Sequence, residues 1–243
     1  MQALLSDRSW LVGFALESLG FALYVAALAL APLTLVQSVA AGGIGFLAFF
    51  SARFSKRRLG RRELAGVLVS MLGLLALGIS LAGGSSEGAG GSTVEILLWF
   101  GATAAAAVVA LAVGRSFGAL AVAEGVAGGL FFSIGDISVK VATQGDARAL
   151  FAIGVIVGYT LGTAFLQLGY QKGGALAVAG LATLLTNALP IAAGHVVLGE
   201  AVPSGVYGGI RIFAFAAVTL GAILLARPEG KAAQTANTAQ RSR

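Results

Sequence analysis

The chain has 243 residues, of which 58% are hydrophobic and only 11% charged, with a mean hydropathy of +0.92 and a net charge of +6. A soluble domain carries more than twice that charged share, so the composition is that of a membrane protein. No Cys and a single His exclude disulfide frameworks, thiolate metal sites, cysteine catalysis and polyhistidine metal sites. H-E-x-x-H, G-x-S-x-G and P-loop patterns are absent, so the chain reads as a non-enzyme that takes no cofactor.

Eight apolar stretches fill the sequence, at roughly 10–31, 33–52, 64–83, 95–114, 119–143, 149–170, 175–198 and 204–226. Each has about 20 residues, the length a helix needs to cross a hydrocarbon core of about 30 Å. These are continuous runs rather than alternating ones, which excludes a transmembrane barrel. The first ends in Ala29-x-Ala31, which has the look of a signal-peptide cleavage site, but the run is too long for one and Pro32 follows directly. A basic cluster (Arg53, Lys56, Arg57, Arg58, Arg61, Arg62) separates the second and third spans. After the third, residues 84–93 (GSSEGAGGST) read as a flexible linker. The last span is followed by a polar tail, 228–243, with no apolar periodicity, read as disordered. Eight crossings with the basic cluster in the cytoplasm put both termini inside a plasma membrane. Thirteen basic residues then lie inside and only Arg148 outside, with Lys140 and Arg211 within spans. The cluster serves as a topology anchor and a contact for anionic lipid. Basic residues flank spans instead of interleaving with aromatics, which argues against nucleic acid.

With so little chain outside the bilayer, function belongs to the polar groups inside it, where an ionisable side chain costs about 2.5–3.5 kcal/mol at a helix centre. Glu17 lies about 10 Å into the first span. It reads either as a proton-coupling or cation-binding carboxylate, or as a Glu that faces a water-filled vestibule or is held protonated by a carbonyl. Asp136 and Lys140 are four residues apart on one face of the fifth span and can pair there, with Arg211 of the last span as a second partner for Asp136. A solute pathway and an internal salt bridge are both open readings of that group. Gln37, Tyr159, Gln167 and Asn187 add neutral polar groups, Asn187 three residues before the helix-kinking Pro190. Each suits either a solute site or an interhelical hydrogen bond. Glu124 reads as a carboxylate at a helix N-terminus, His195 as an interface residue, Glu200 as a helix terminator. Gly154, Gly158 and Gly162 form successive GxxxG steps, expected to pack within the monomer.

Two segments share a layout: LESLGFALYVAALALAPLTLVQSVAAGGIG from Leu16 and YTLGTAFLQLGYQKGGALAVAGLATLLTN from Tyr159. Each is a long span, a tight break (Ala31-Pro32; Gly173-Gly174) and a second span. On the proposed topology the copies run in opposite directions, the inverted-repeat plan of many secondary transporters. The stretches 27–46 and 64–79, and 165–200 (ending Leu198-Gly199-Glu200) with 218–226, resemble the EamA-type halves of the drug/metabolite transporter superfamily, most of all its NIPA-type magnesium transporter branch. That resemblance implies an all-α fold of two inverted repeats, three spans plus five, as residues 1–83 and 94–227. It implies a permease moving a small polar or cationic solute by alternating access. A divalent-cation (magnesium) transporter is the first alternative, and a non-transporting scaffold or regulatory subunit the second. Two features depart from the family. Its polar positions ahead of the first break fall here on Phe21 and Tyr24. The first half is also short of a helix, which implies either a gene that starts upstream of Met1 or a homodimer that covers the gap.

Overall fold

A computed structural model describes residues 8–54, 60–83, 90–172 and 175–225. Lys56, Arg57 and Arg58 of the basic cluster, residues 84–89 of the linker and the tail lie outside the described residues. Among those described there is no strand. They form eight α-helices: α1 (Arg8–Leu30), α2 (Leu33–Phe54), α3 (Arg61–Ser80), α4 (Thr93–Ser116), α5 (Leu120–Ala142), α6 (Ala152–Lys172), α7 (Ala175–Val196) and α8 (Gly205–Leu225). Six of them, α1 and α3 to α7, are long and apolar enough to cross a membrane. The shorter apolar stretches Leu33–Gly43 and Gly205–Gly221 lie in α2 and α8. The protein is therefore all-helical, with multiple membrane-capable segments.

Boundaries follow local chemistry. α1 stops at Leu30 and α2 starts at Leu33, because Pro32 has no N–H to continue a helix; its carbonyl instead accepts from the amides of Leu35 and Val36. Ser92 opens α4 with a reciprocal capping box to Glu95, satisfying two amides that a helix start leaves orphaned. The sixth apolar stretch begins differently from the sequence reading. A 3₁₀ turn, Asp146–Phe151, precedes α6, entered through Gly145 at φ +81°.

α5 is the centre of the molecule, packed against α4, α6 and α7, while α3 pairs with α8 and α2 joins the two groups through α3, α7 and α8. Small residues make that position possible. Gly154, Gly158 and Gly162 of α6 all face α5, as the spacing predicts for packing within the monomer. A Cβ on Gly158 would sit 2.5 Å from the backbone nitrogen of Gly135, which has no flexible side chain to yield. α1 is the exception in the bundle. It packs on the core through Tyr24, Val25, Ala27 and Leu28, while residues 11–23 are exposed along their whole length.

Candidate functional site

The polar groups gather around the break between α1 and α2. Asp136, on the inner face of α5, is only 4% exposed. Its Oδ1 accepts from the hydroxyl of Tyr159 on α6 at 2.6 Å and from that of Tyr24 on α1 at 2.9 Å. The Tyr24 oxygen in turn accepts from Nε2 of Gln37 on α2 at 2.6 Å. Four helices thus meet at one carboxyl group. Its second oxygen, Oδ2, is buried and has no hydrogen-bond partner among the described residues. A buried acceptor left bare is uncommon, because forgoing its hydration costs about 1–3 kcal/mol.

The break itself is held by two charged side chains from the second half. Lys140, one turn beyond Asp136, donates to the carbonyls of Leu28 and Ala31, both at 2.9 Å. Leu28 lies in the last turn of α1 and Ala31 directly follows it, where the helix dipole favours a cation. Glu200, in the α7–α8 connection, accepts from the amides of Leu33 at 2.5 Å and Thr34 at 2.9 Å. Those are first-turn donors of α2, where the dipole favours an anion. His195 Nδ1 donates to the Glu200 carbonyl at 2.7 Å and steadies the clamp. The energetic case for so much buried charge is plain: each group satisfies backbone atoms that the Pro32 break has orphaned.

Arg211, weighed in the sequence as a partner for Asp136, donates to Ser80 Oγ (3.1 Å) and the Ser80 carbonyl (3.0 Å), at the C-terminal end of α3. Its described hydrogen bonds hold α8 to α3. Glu124, read as a dipole-stabilised carboxylate, is buried and paired with Lys172 of α6. Asn187 donates to the Thr183 carbonyl one turn back. It also lines a cleft of about 270 Å³ with Phe132, Leu166, Tyr170, Thr183 and Thr186, among others. Phe132 is common to both places, its ring 6.0 Å from that of Tyr159. Glu17 and Gln167 are exposed, on α1 and α6. Arg148 bonds the carbonyls of Gly90 and Gly91 at 2.7 and 2.6 Å, so the end of the Gly/Ser segment is pinned instead of trailing.

The structure therefore unites Asp136, Lys140, Gln37 and Tyr159 near one break, and sets Arg211, Asn187, Gln167 and Glu17 apart. Two residues of the assembly were not singled out from sequence. Tyr24 registered only as a departure from the family pattern, although a hydroxyl in an apolar span about two turns before a break is a usable signal. Glu200 registered as a terminator; that it caps a helix more than 160 residues away has no local signature.

No family model matches the chain, and no solved structure does. Over 247 aligned residues it is 25% identical to the probable magnesium transporter NIPA9 of Arabidopsis thaliana, covering 93% of this chain and 71% of that protein. Together with six helices able to span a membrane, that similarity supports a transporter-like, multi-pass membrane protein.

Proposed function

We propose that this protein is a permease that carries a small polar or cationic solute by alternating access, with Asp136 as the group that receives it. The observation that carries the reading is the bare Oδ2 of a buried Asp136 whose other oxygen is fixed by two phenols from different helices. A hydrogen-bond donor or cation on the solute would complete that oxygen, and the tyrosines hold the carboxyl in place to receive it. The adjoining cleft of about 270 Å³ is of a size for a small molecule, and its Tyr170, Thr183, Thr186 and Asn187 offer neutral polar contacts. Two inverted halves, 1–83 and 94–227 joined by 84–93, would rock about this point, in a plasma membrane with both termini cytoplasmic. The test is uptake by reconstituted protein against a panel of organic cations, polar metabolites and metal ions. Asp136→Asn is expected to abolish uptake while preserving monodispersity. Full uptake in a folded Asp136→Asn protein would overturn the assignment, and no transport of any solute would favour a scaffold.

Magnesium is the specific second reading, favoured by the similarity to a probable magnesium transporter. Mg²⁺ sheds its waters reluctantly and is commonly bound by one or two carboxylates with several waters retained. A lone carboxyl among hydroxyls suits a hydrated ion better than a stripped one; among the described residues no three acidic or histidine groups come together. Saturable Mg²⁺ uptake that organic cations do not inhibit would select this reading.

A further inference from the structure

Glu17 stands apart from the polar assembly, yet its direction on α1 is fixed. Successive helical residues turn by about 100°, so Glu17, seven residues before Tyr24, points within about 20° of it and lies about 10 Å along the axis. Gly13 and Gly20 fall on the same face, within about 40° of Tyr24. Tyr24 establishes what that face looks at, since its hydroxyl meets Asp136 of α5 and Gln37 of α2. Carried back along the helix by its regular turn, that face is directed toward α5 and α2. Even so, Glu17 is exposed, and a Cβ built on Gly13 or Gly20 meets nothing within 4 Å. Among the described residues nothing packs on that inward face, which leaves an opening. α1 closes on its neighbours around Tyr24, Val25, Ala27 and Leu28, where Lys140 also holds it. The opening is thus a wedge, closed at the Asp136 end by these contacts and unfilled by described residues at Glu17. Hydrocarbon filling that wedge would surround the Glu17 carboxyl, at a cost a water-filled wedge avoids.

We propose that the Gly13–Glu17–Gly20 face of α1 lines an aqueous vestibule leading to Asp136, and that Glu17 at its mouth concentrates small cations there. The proposal deepens the reading of Asp136 as the solute-receiving group, and it extends the site by about three helical turns along α1.

The chain has no cysteine, so single-cysteine variants report one position each. In lipid nanodiscs, where both faces of the bilayer meet the reagent, Gly13→Cys and Gly20→Cys should react with charged methanethiosulfonates. Ala15→Cys, Leu19→Cys and Ala22→Cys, on the opposite side of α1, should not. The cationic reagent should modify Gly20→Cys roughly thirtyfold faster than the anionic one, because one charge at about 4 Å in water speeds the cation and slows the anion by about fivefold each, and adding Glu17→Gln should remove that preference. Equal reaction all around α1 would overturn the vestibule, as would silence at Gly13→Cys and Gly20→Cys, which would mean lipid or a partner chain fills the wedge. A preference that survives Glu17→Gln would remove Glu17 from the proposal. Labelling requires no transport, so it is read separately from the uptake test of Asp136.

Discussion

Asp136, Lys140 and Arg211 are all buried ionisable groups in spans, and sequence rules treat them alike because each is costly at depth. Their surroundings separate them. Lys140 and Arg211 meet backbone carbonyls at the C-terminal ends of α1 and α3, where they repair helix termini. Asp136 repairs no backbone. It is gripped on one oxygen by tyrosines and bare on the other. Tyr159 should therefore act as a positioning residue. A hydrogen bond to a carboxylate contributes about 1.5–3 kcal/mol, so Tyr159→Phe is expected to raise the KM for uptake roughly tenfold or more with the maximal rate less affected. Concentration-dependent uptake measures this, and an unchanged KM would mean that the tyrosines serve packing alone. Asp136 was legible in the sequence as an acid in an apolar run. The difference between it and Lys140 was not, because that depends on which helix ends lie beside them.

The α1–α2 break is the element on which the assembly depends. Its two helix ends face one another across Pro32, one lacking acceptors for its amides and one lacking donors for its carbonyls. Glu200 and Lys140 supply both, and both come from the other half of the chain. Truncation at Glu200 should orphan the Leu33 and Thr34 amides at roughly 1–3 kcal/mol for each donor. Glu200→Ala is accordingly expected to lower the apparent melting temperature in detergent, while Glu200→Gln, which keeps one acceptor oxygen, loses less. Melting curves of the two variants check this; equal and unaltered stability would mean that the amides find other partners. The break was visible in the sequence as Ala31-Pro32. Its clamp was half visible, since Lys140 stands out by its charge and Glu200 reads as the terminator of its own helix, not as a cap on α2.

At the scale of the whole molecule, a central α5 gathers α4, α6 and α7, α2 joins that group to the α3–α8 pair, and α1 leans on the bundle by one end only. The proposed topology places the α1–α2 break and the Gly/Ser segment on the outside, with the exposed end of α1 inside. Reporter fusions at Gly90 and after Arg243 should accordingly report opposite sides of the membrane. The same side for both would overturn the eight-crossing map and the inverted halves with it. Nothing near Arg148 argues against the assignment. As the one basic residue placed outside, it is occupied by the carbonyls of Gly90 and Gly91, a structural role independent of the charge rule for orientation.

The sequence by itself determined the class: apolar runs of about 20 residues leave a chain no soluble alternative, and helices satisfy their own backbone within each run. It also determined the first break, because Pro32 acts on its own neighbours, and which glycines of the sixth span would face a partner helix. Tertiary structure decided the rest. Whether a buried charge caps a helix end is set by contacts between residues more than a hundred positions apart, such as Lys140 with Leu28 and Glu200 with Leu33. Whether Glu17 meets lipid or an inward opening is set by how far α1 leans from α5, and no periodicity in α1 encodes that angle.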